Sequence, residues 1–175
     1  MLEAQKTLAI DGIDLKQLSI NGVVAWVAPP SYTNWVPISI DTDGSIFNGC
    51  GYQDDMRLRS NGEITTKNNS VVTGFIKAKG GDTLCVAGVN WVANNHSSNY
   101  LNAYDASFGN IGARVSNGNV YGATIVESIV AEGEMAVIKL AALDTIAYIR
   151  VSSCGDDTKQ EDGSKMIVTV NEPIV

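Results

Sequence analysis

Apolar and polar residues alternate with a period of two through much of this 175-residue chain, the spacing of a β-strand with one face buried. In "DMRLRS" (55–60), Met56 and Leu58 fall on one side and Arg57 and Arg59 on the other. "IAYIRVS" (146–152) sets Ala147, Ile149 and Val151 against Tyr148, Arg150 and Ser152, and "KMIVTV" (165–170) sets Met166, Val168 and Val170 against Ile167 and Thr169. "SVVTGFIKA" (70–78) and "TLCVAGVNWV" (83–92) are β-branched and aromatic, long enough to cross a sheet. Turn dipeptides punctuate these runs: Asp43-Gly44, Asn48-Gly49, Asn61-Gly62, Gly80-Gly81, Asn117-Gly118 and Asp162-Gly163. Short strands divided by turns in this way predict an all-β, antiparallel β-sandwich, jelly-roll-like, over residues 31–175. Within it, 134–141 reads as a strand, while 123–131 fits a short helix or a strand.

The first 28 residues follow a smaller pattern. "AIDGID" at 9–14 is echoed by "SINGVV" at 19–24, each placing Asp-Gly or Asn-Gly between β-branched residues. Those pairs tolerate the positive φ of a two-residue hairpin turn. Three short strands, 6–10, 13–20 and 23–28, are predicted as a meander. Pro29-Pro30 then ends strand pairing, because proline donates no ladder hydrogen bond. Residues 1–28 therefore form a β-hairpin module for attachment or oligomerisation, since short exposed edges can pair with another subunit.

Composition narrows the partners. Hydrophobic residues make up 45% and charged residues 18%, a globular balance. A net charge of −7 repels nucleic acid and anionic lipid, so neither is an expected partner. Cys50, Cys85 and Cys154 form no C-x-x-C pair, and their odd number argues against a disulfide framework. Reduced thiols made in a cytoplasm are the simpler reading. The N-terminus lacks the unbroken apolar core of a signal peptide. The most apolar region, 129–149, is interrupted by Glu132, Glu134, Lys139 and Asp144, which excludes a transmembrane helix there.

Candidate chemistry concentrates in "GVNWVANNHSSNYLNAYDASFGN" (88–110). A sugar ring offers an apolar C–H face and a rim of hydroxyls, so a site for it pairs aromatic platforms with amides and carboxylates. Trp91, Tyr100 and Tyr104 are candidate platforms, and Asn94, Asn95, His96, Asn102 and Asp105 are candidate hydroxyl readers. Alternation places Tyr100, Asn102 and Tyr104 on one strand face and Leu101 and Ala103 on the other. That row suits a concave binding sheet or an ordinary solvated face.

Catalytic residues are not assigned. His96 is the sole histidine, and neither a G-x-S-x-G elbow nor a P-loop occurs. "DTDGS" (41–45) lacks the glycine and glutamate of a calcium loop, so it reads as a tight turn. The acidic loop 155–163 reads as solvated. No metal or cofactor is expected.

The segment "SYTNWVPISIDTDGSIFNGCGYQDDMRLRSNGEITTKNNSVVTGFIKAKGGDTL" resembles a module in tail-fibre, baseplate and minor structural proteins of phages and prophages of Gram-positive bacteria. "IDGIDLKQLSINGVVAWVA" resembles the short β segment that often precedes it, and "AYIRVSSCG…KMIVTVNEPI" its final strands. The resemblance implies a carbohydrate-binding-like β-sandwich on a virion tail, made in the bacterial cytoplasm. Its implied partners are host surface glycan, other tail or baseplate proteins, and further copies of itself. No set of site residues comes with it. A purely structural spacer and a glycan-acting hydrolase or esterase are the rival readings.

Overall fold

The computed structural model of the chain describes residues 9–10, 13–14, 17–20, 23–27, 39–87, 99–132, 135–154 and 166–171. It divides into two compact units, Met1–Tyr32 together with Val175, and Thr33–Ile174.

In the first unit β1 (Ala9–Ile10) pairs with β2 (Ile13–Asp14), and β3 (Gln17–Ile20) pairs with β4 (Val23–Val27). The first pair has Ile10 opposite Ile13 and the second Ile20 opposite Val23. The expected strand 13–20 is instead two pieces in separate two-stranded sheets. The predicted meander is therefore two hairpins: each turn pairs only its own flanks, and so few ladder bonds do not recruit a third strand.

In the second unit most of the described residues lie in strands. Its elements are β5 (Ser39–Ile40), a short 3₁₀ turn at Phe47–Gly49, β6 (Tyr52–Leu58), β7 (Ile64–Thr73), β8 (Phe75–Lys77) and β9 (Thr83–Ala87). They continue with β10 (Tyr100–Tyr104), β11 (Asn110–Val115), β12 (Val120–Gly122), β13 (Val126–Glu132), β14 (Met135–Leu140), β15 (Tyr148–Cys154) and β16 (Ile167–Val170). The larger sheet runs β12-β11-β10-β15-β7-β6, with β8 also on β15 and β5 on β8. The smaller runs β13-β14-β9-β16. All pairings are antiparallel, so the predicted two-sheet all-β sandwich is what forms. The open segment 123–131 supplies most of a strand, β13, in register with β14 through Ile129↔Ile138.

The core lies between the sheets and follows the alternation. Leu101, Ile149 and Val151 of the larger sheet meet Leu84, Val86, Ile138, Leu140 and Val168 of the smaller, all fully buried. Each such side chain contributes about 1.5–3 kcal/mol by leaving water. A second, smaller cluster forms on the outer face of the larger sheet: Phe47, Leu58 and Val72, flanked by Met56, Ile64 and Tyr100. That face is therefore partly covered. Residues 41–45 form the tight turn expected of "DTDGS", with Gly44 N–H donating to Asp41 O at 3.0 Å and Asp41 N–H to Ser45 O at 2.8 Å. Among the described residues no helix is long and apolar enough to cross a membrane.

Candidate functional site

β10 presents its side chains as the alternation requires. Leu101 and Ala103 enter the core, and Tyr100, Asn102 and Tyr104 take the opposite face. The row is nevertheless not open. Asn102 is 0% exposed, Tyr104 is 2% exposed and Tyr100 is half-buried. The cover is the turn joining β6 to β7. Asn102 Nδ2 donates to Arg59 O at 2.9 Å and to Asn110 Oδ1 at 3.2 Å, while Asn110 Nδ2 donates to Ser60 O at 2.9 Å. The Tyr104 hydroxyl reaches Gly62 O at 3.5 Å. Gly62 has φ +88°, and a Cβ there would sit 3.2 Å from the Tyr104 ring and 3.0 Å from Asn110 Cβ. The turn can lie this close only with glycine at its tip.

The expectation of an exposed aromatic–amide–aromatic row is thus corrected at Asn102 and Tyr104, which bind the chain's own hairpin. Asp105 is also engaged locally: its Oδ1 accepts from Ser107 N–H at 2.8 Å and Gly109 N–H at 2.9 Å, closing the turn after β10. Trp91, Asn94, Asn95 and His96 lie outside the described residues.

What the outer face does assemble is an aromatic cluster around a buried arginine. Arg150, on β15, faces Asn102 across the sheet and is 5% exposed. Its Nε donates to Thr73 O at 3.0 Å, and its guanidinium carbon lies 4.7 Å from the Phe75 ring centre and 5.1 Å from that of Phe47. Nη2 is buried and has no hydrogen-bond partner among the described residues. Burial pulls the Arg150 pKa down, against the electrostatic pull of Tyr104 and Asp41. The Tyr104 hydroxyl is pushed up to about 12 by the same burial, with Arg150 opposing.

Phe75 packs edge-on against Tyr104 at 4.9 Å and tilted against Phe108 at 4.7 Å. Phe108 in turn stacks on Tyr148 at 4.8 Å, with 24° between the rings. Phe108 and Tyr148 are half-buried, so the stack forms the rim of the cluster. Phe108 adopts φ +64°, a left-handed conformation costly for a bulky side chain, and the Asp105 turn holds it there through Phe108 N–H to Asp105 O at 3.0 Å. The candidate residues of 88–110 omit Arg150 and Tyr148, although "IAYIRVS" had already placed them on one face. It omits Phe108 because nothing local to "ASFGN" shows that this ring meets a strand forty residues later.

A concavity lies between β12 of one sheet and β13 of the other, where the chain crosses the sandwich. Gly112 and Gly122 face each other across β11 and β12. A Cβ on Gly112 would stand 2.5 Å from Ala123 O and 2.9 Å from Ile125 Cγ2, so glycine is what allows the crossing segment to approach. The resulting cleft has a volume of about 270 Å³ and is lined by Arg114, Val120, Thr124, Glu127, Ser128 and Ile129, over the buried Ile125. Glu127 occupies a register shift between Val126 and Ser128, and such bulges redirect a side chain.

Among the described residues no group of three or more His, Cys, Asp or Glu side chains is placed to hold a metal. Among the described residues Cys50, Cys85 and Cys154 form no disulfide; the first is exposed and the others are buried. The second unit is thus a two-sheet β-sandwich with an aromatic cluster on its outer face and a cleft at its edge. No family model, curated protein or solved structure matches the chain.

Proposed function

We propose that this chain is a non-enzymatic, tail-associated protein of a phage or prophage that binds carbohydrate on the host cell surface. The observation that carries the reading is the half-buried Phe108–Tyr148 stack at the rim of the aromatic cluster that holds Arg150. Aromatic rings at a surface rim match the C–H face of a sugar, and Arg150, packed on Phe75 of the same cluster, adds a positive charge behind that rim. The resemblance of 31–84 to tail modules supports a virion setting. Single-site sugar affinity is weak, so adhesion would come from several copies on one particle, a homo-oligomer contacting other tail or baseplate proteins.

The burial of Asn102 and Tyr104 favours a second reading, a spacer whose outer face is sealed by its own hairpin. Pull-down on purified Gram-positive cell walls separates the two, using wild type, Tyr148→Ala and Arg150→Met in the native oligomer. Binding predicts retention of wild type and at least about a tenfold loss with Tyr148→Ala. No retention of wild type would favour the spacer, whereas equal retention of Tyr148→Ala would place wall binding elsewhere than on the Phe108–Tyr148 stack. Release of reducing sugar from the same walls would point instead to a hydrolase.

A further inference from the structure

We infer that the edge cleft between β12 and β13 is a binding site for a neutral, hydroxyl-rich ligand about the size of one monosaccharide, separate from the outer-face stack. The size follows from the volume. About 270 Å³ lies just under the roughly 300–1,000 Å³ of pockets for drug-sized ligands, leaving room for one small ring rather than a chain of them.

The chemistry follows from the lining. Arg114 is held by the β11–β12 turn, where a guanidinium N–H donates to Gly118 O. Nε is itself buried, so the donors left to the cleft are the other guanidinium N–H groups of Arg114. Glu127 supplies acceptors from the bulged edge of the smaller sheet, and the exposed Thr124 and Ser128 hydroxyls can both donate and accept. Val120, 42% exposed, and the half-buried Ile129 add aliphatic walls that suit C–H groups.

Charge then selects among polar ligands. An anion drawn to Arg114 is repelled by Glu127, and a cation drawn to Glu127 is repelled by Arg114. A neutral diol satisfies both at once, accepting from the guanidinium and donating to the carboxylate. The inference shares its ligand class with the glycan reading but rests on different residues, so each can fail alone.

The test is a residue-resolved NMR titration of the full chain with glucose and N-acetylglucosamine, beside glucuronate and glucosamine as anionic and cationic analogues. A neutral sugar is expected to shift the amides of 114 and 124–129 in a saturable manner, with both charged analogues several-fold weaker. Glu127→Gln, at an exposed position, should weaken the neutral sugar about tenfold and narrow its advantage over glucuronate. Thr124→Trp, also exposed, should fill the cleft and abolish these shifts, whereas Tyr148→Ala should leave them intact. The inference is overturned if neither neutral sugar moves these amides, if glucuronate binds as well as glucose, or if Thr124→Trp changes nothing. Shifts confined to residues around 108 and 148 would overturn the cleft and leave the outer-face stack standing.

Discussion

Two residues on the outer face decide how closely the β6–β7 turn can sit on the sheet. Gly62 at φ +88° must have no Cβ, both for its backbone and for the Tyr104 ring 3.2 Å away. Gly62→Ala should therefore cost about 1–2 kcal/mol, read by chemical denaturation, and an unchanged midpoint would contradict the close approach. Tyr104 makes a pH prediction. Burial disfavours the phenolate and pushes the hydroxyl up from its ordinary value near 10 to about 12. The folded state keeps a proton that the unfolded chain gives up, so this contribution is full below pH 10 and lost as pH rises through about 12. The loss is on the order of 2–3 kcal/mol. Tyr104→Phe should flatten the alkaline decline in stability, and parallel curves for the two proteins would refute it. The facing of Tyr100, Asn102 and Tyr104 was legible in the sequence because period two sets direction. Their burial was not, because the carbonyls that cover them come from Arg59, Ser60 and Gly62, some forty residues earlier, and no local pattern reports that contact.

At the scale of elements, most strands were readable from their alternation, and the register shift in β13 is what left its segment open. In β13 the extra residue at Glu127 moves the apolar positions to Val126, Ile129 and Val130, an i, i+3, i+4 spacing that imitates a helix turn. The ambiguity over 123–131 is therefore the bulge itself, seen in one dimension. The β6–β7 hairpin shows how elements depend on one another. Leu58, fully buried, joins Phe47 and Val72 beneath it, and Leu58→Ala should cost about 2–5 kcal/mol. Amide exchange in 56–66 should quicken more than in β14 or β9, since the lost contact belongs to the outer cluster and not to the main core. Uniform acceleration across both sheets would show that the hairpin is not a separable layer.

At the scale of the whole molecule, fold and binding surface draw on different parts of the sequence. Alternation and turn dipeptides report the two sheets and the core between them, because each strand carries its own record of which side is apolar. The candidate sites depend on how distant strands and loops meet: Phe108 with Tyr148, and β12 with β13 around Gly112. Arg150 gives the test at this scale. A buried cation with no direct carboxylate contact adds little stability, so Arg150→Met should change unfolding free energy by no more than about 1 kcal/mol, in either direction. If it also weakens wall binding, the arginine serves the ligand rather than the fold. A collapse in stability would assign it to structure alone.

The turn over β10 has a consequence for engineering. Because its carbonyls occupy Asn102 and Asn110 and its glycine tip rests on Tyr104, deleting a few residues at the tip would bare an amide-and-aromatic trough across an intact sheet. A scaffold that now spends those groups on itself could then be given a new cargo without rebuilding its interior.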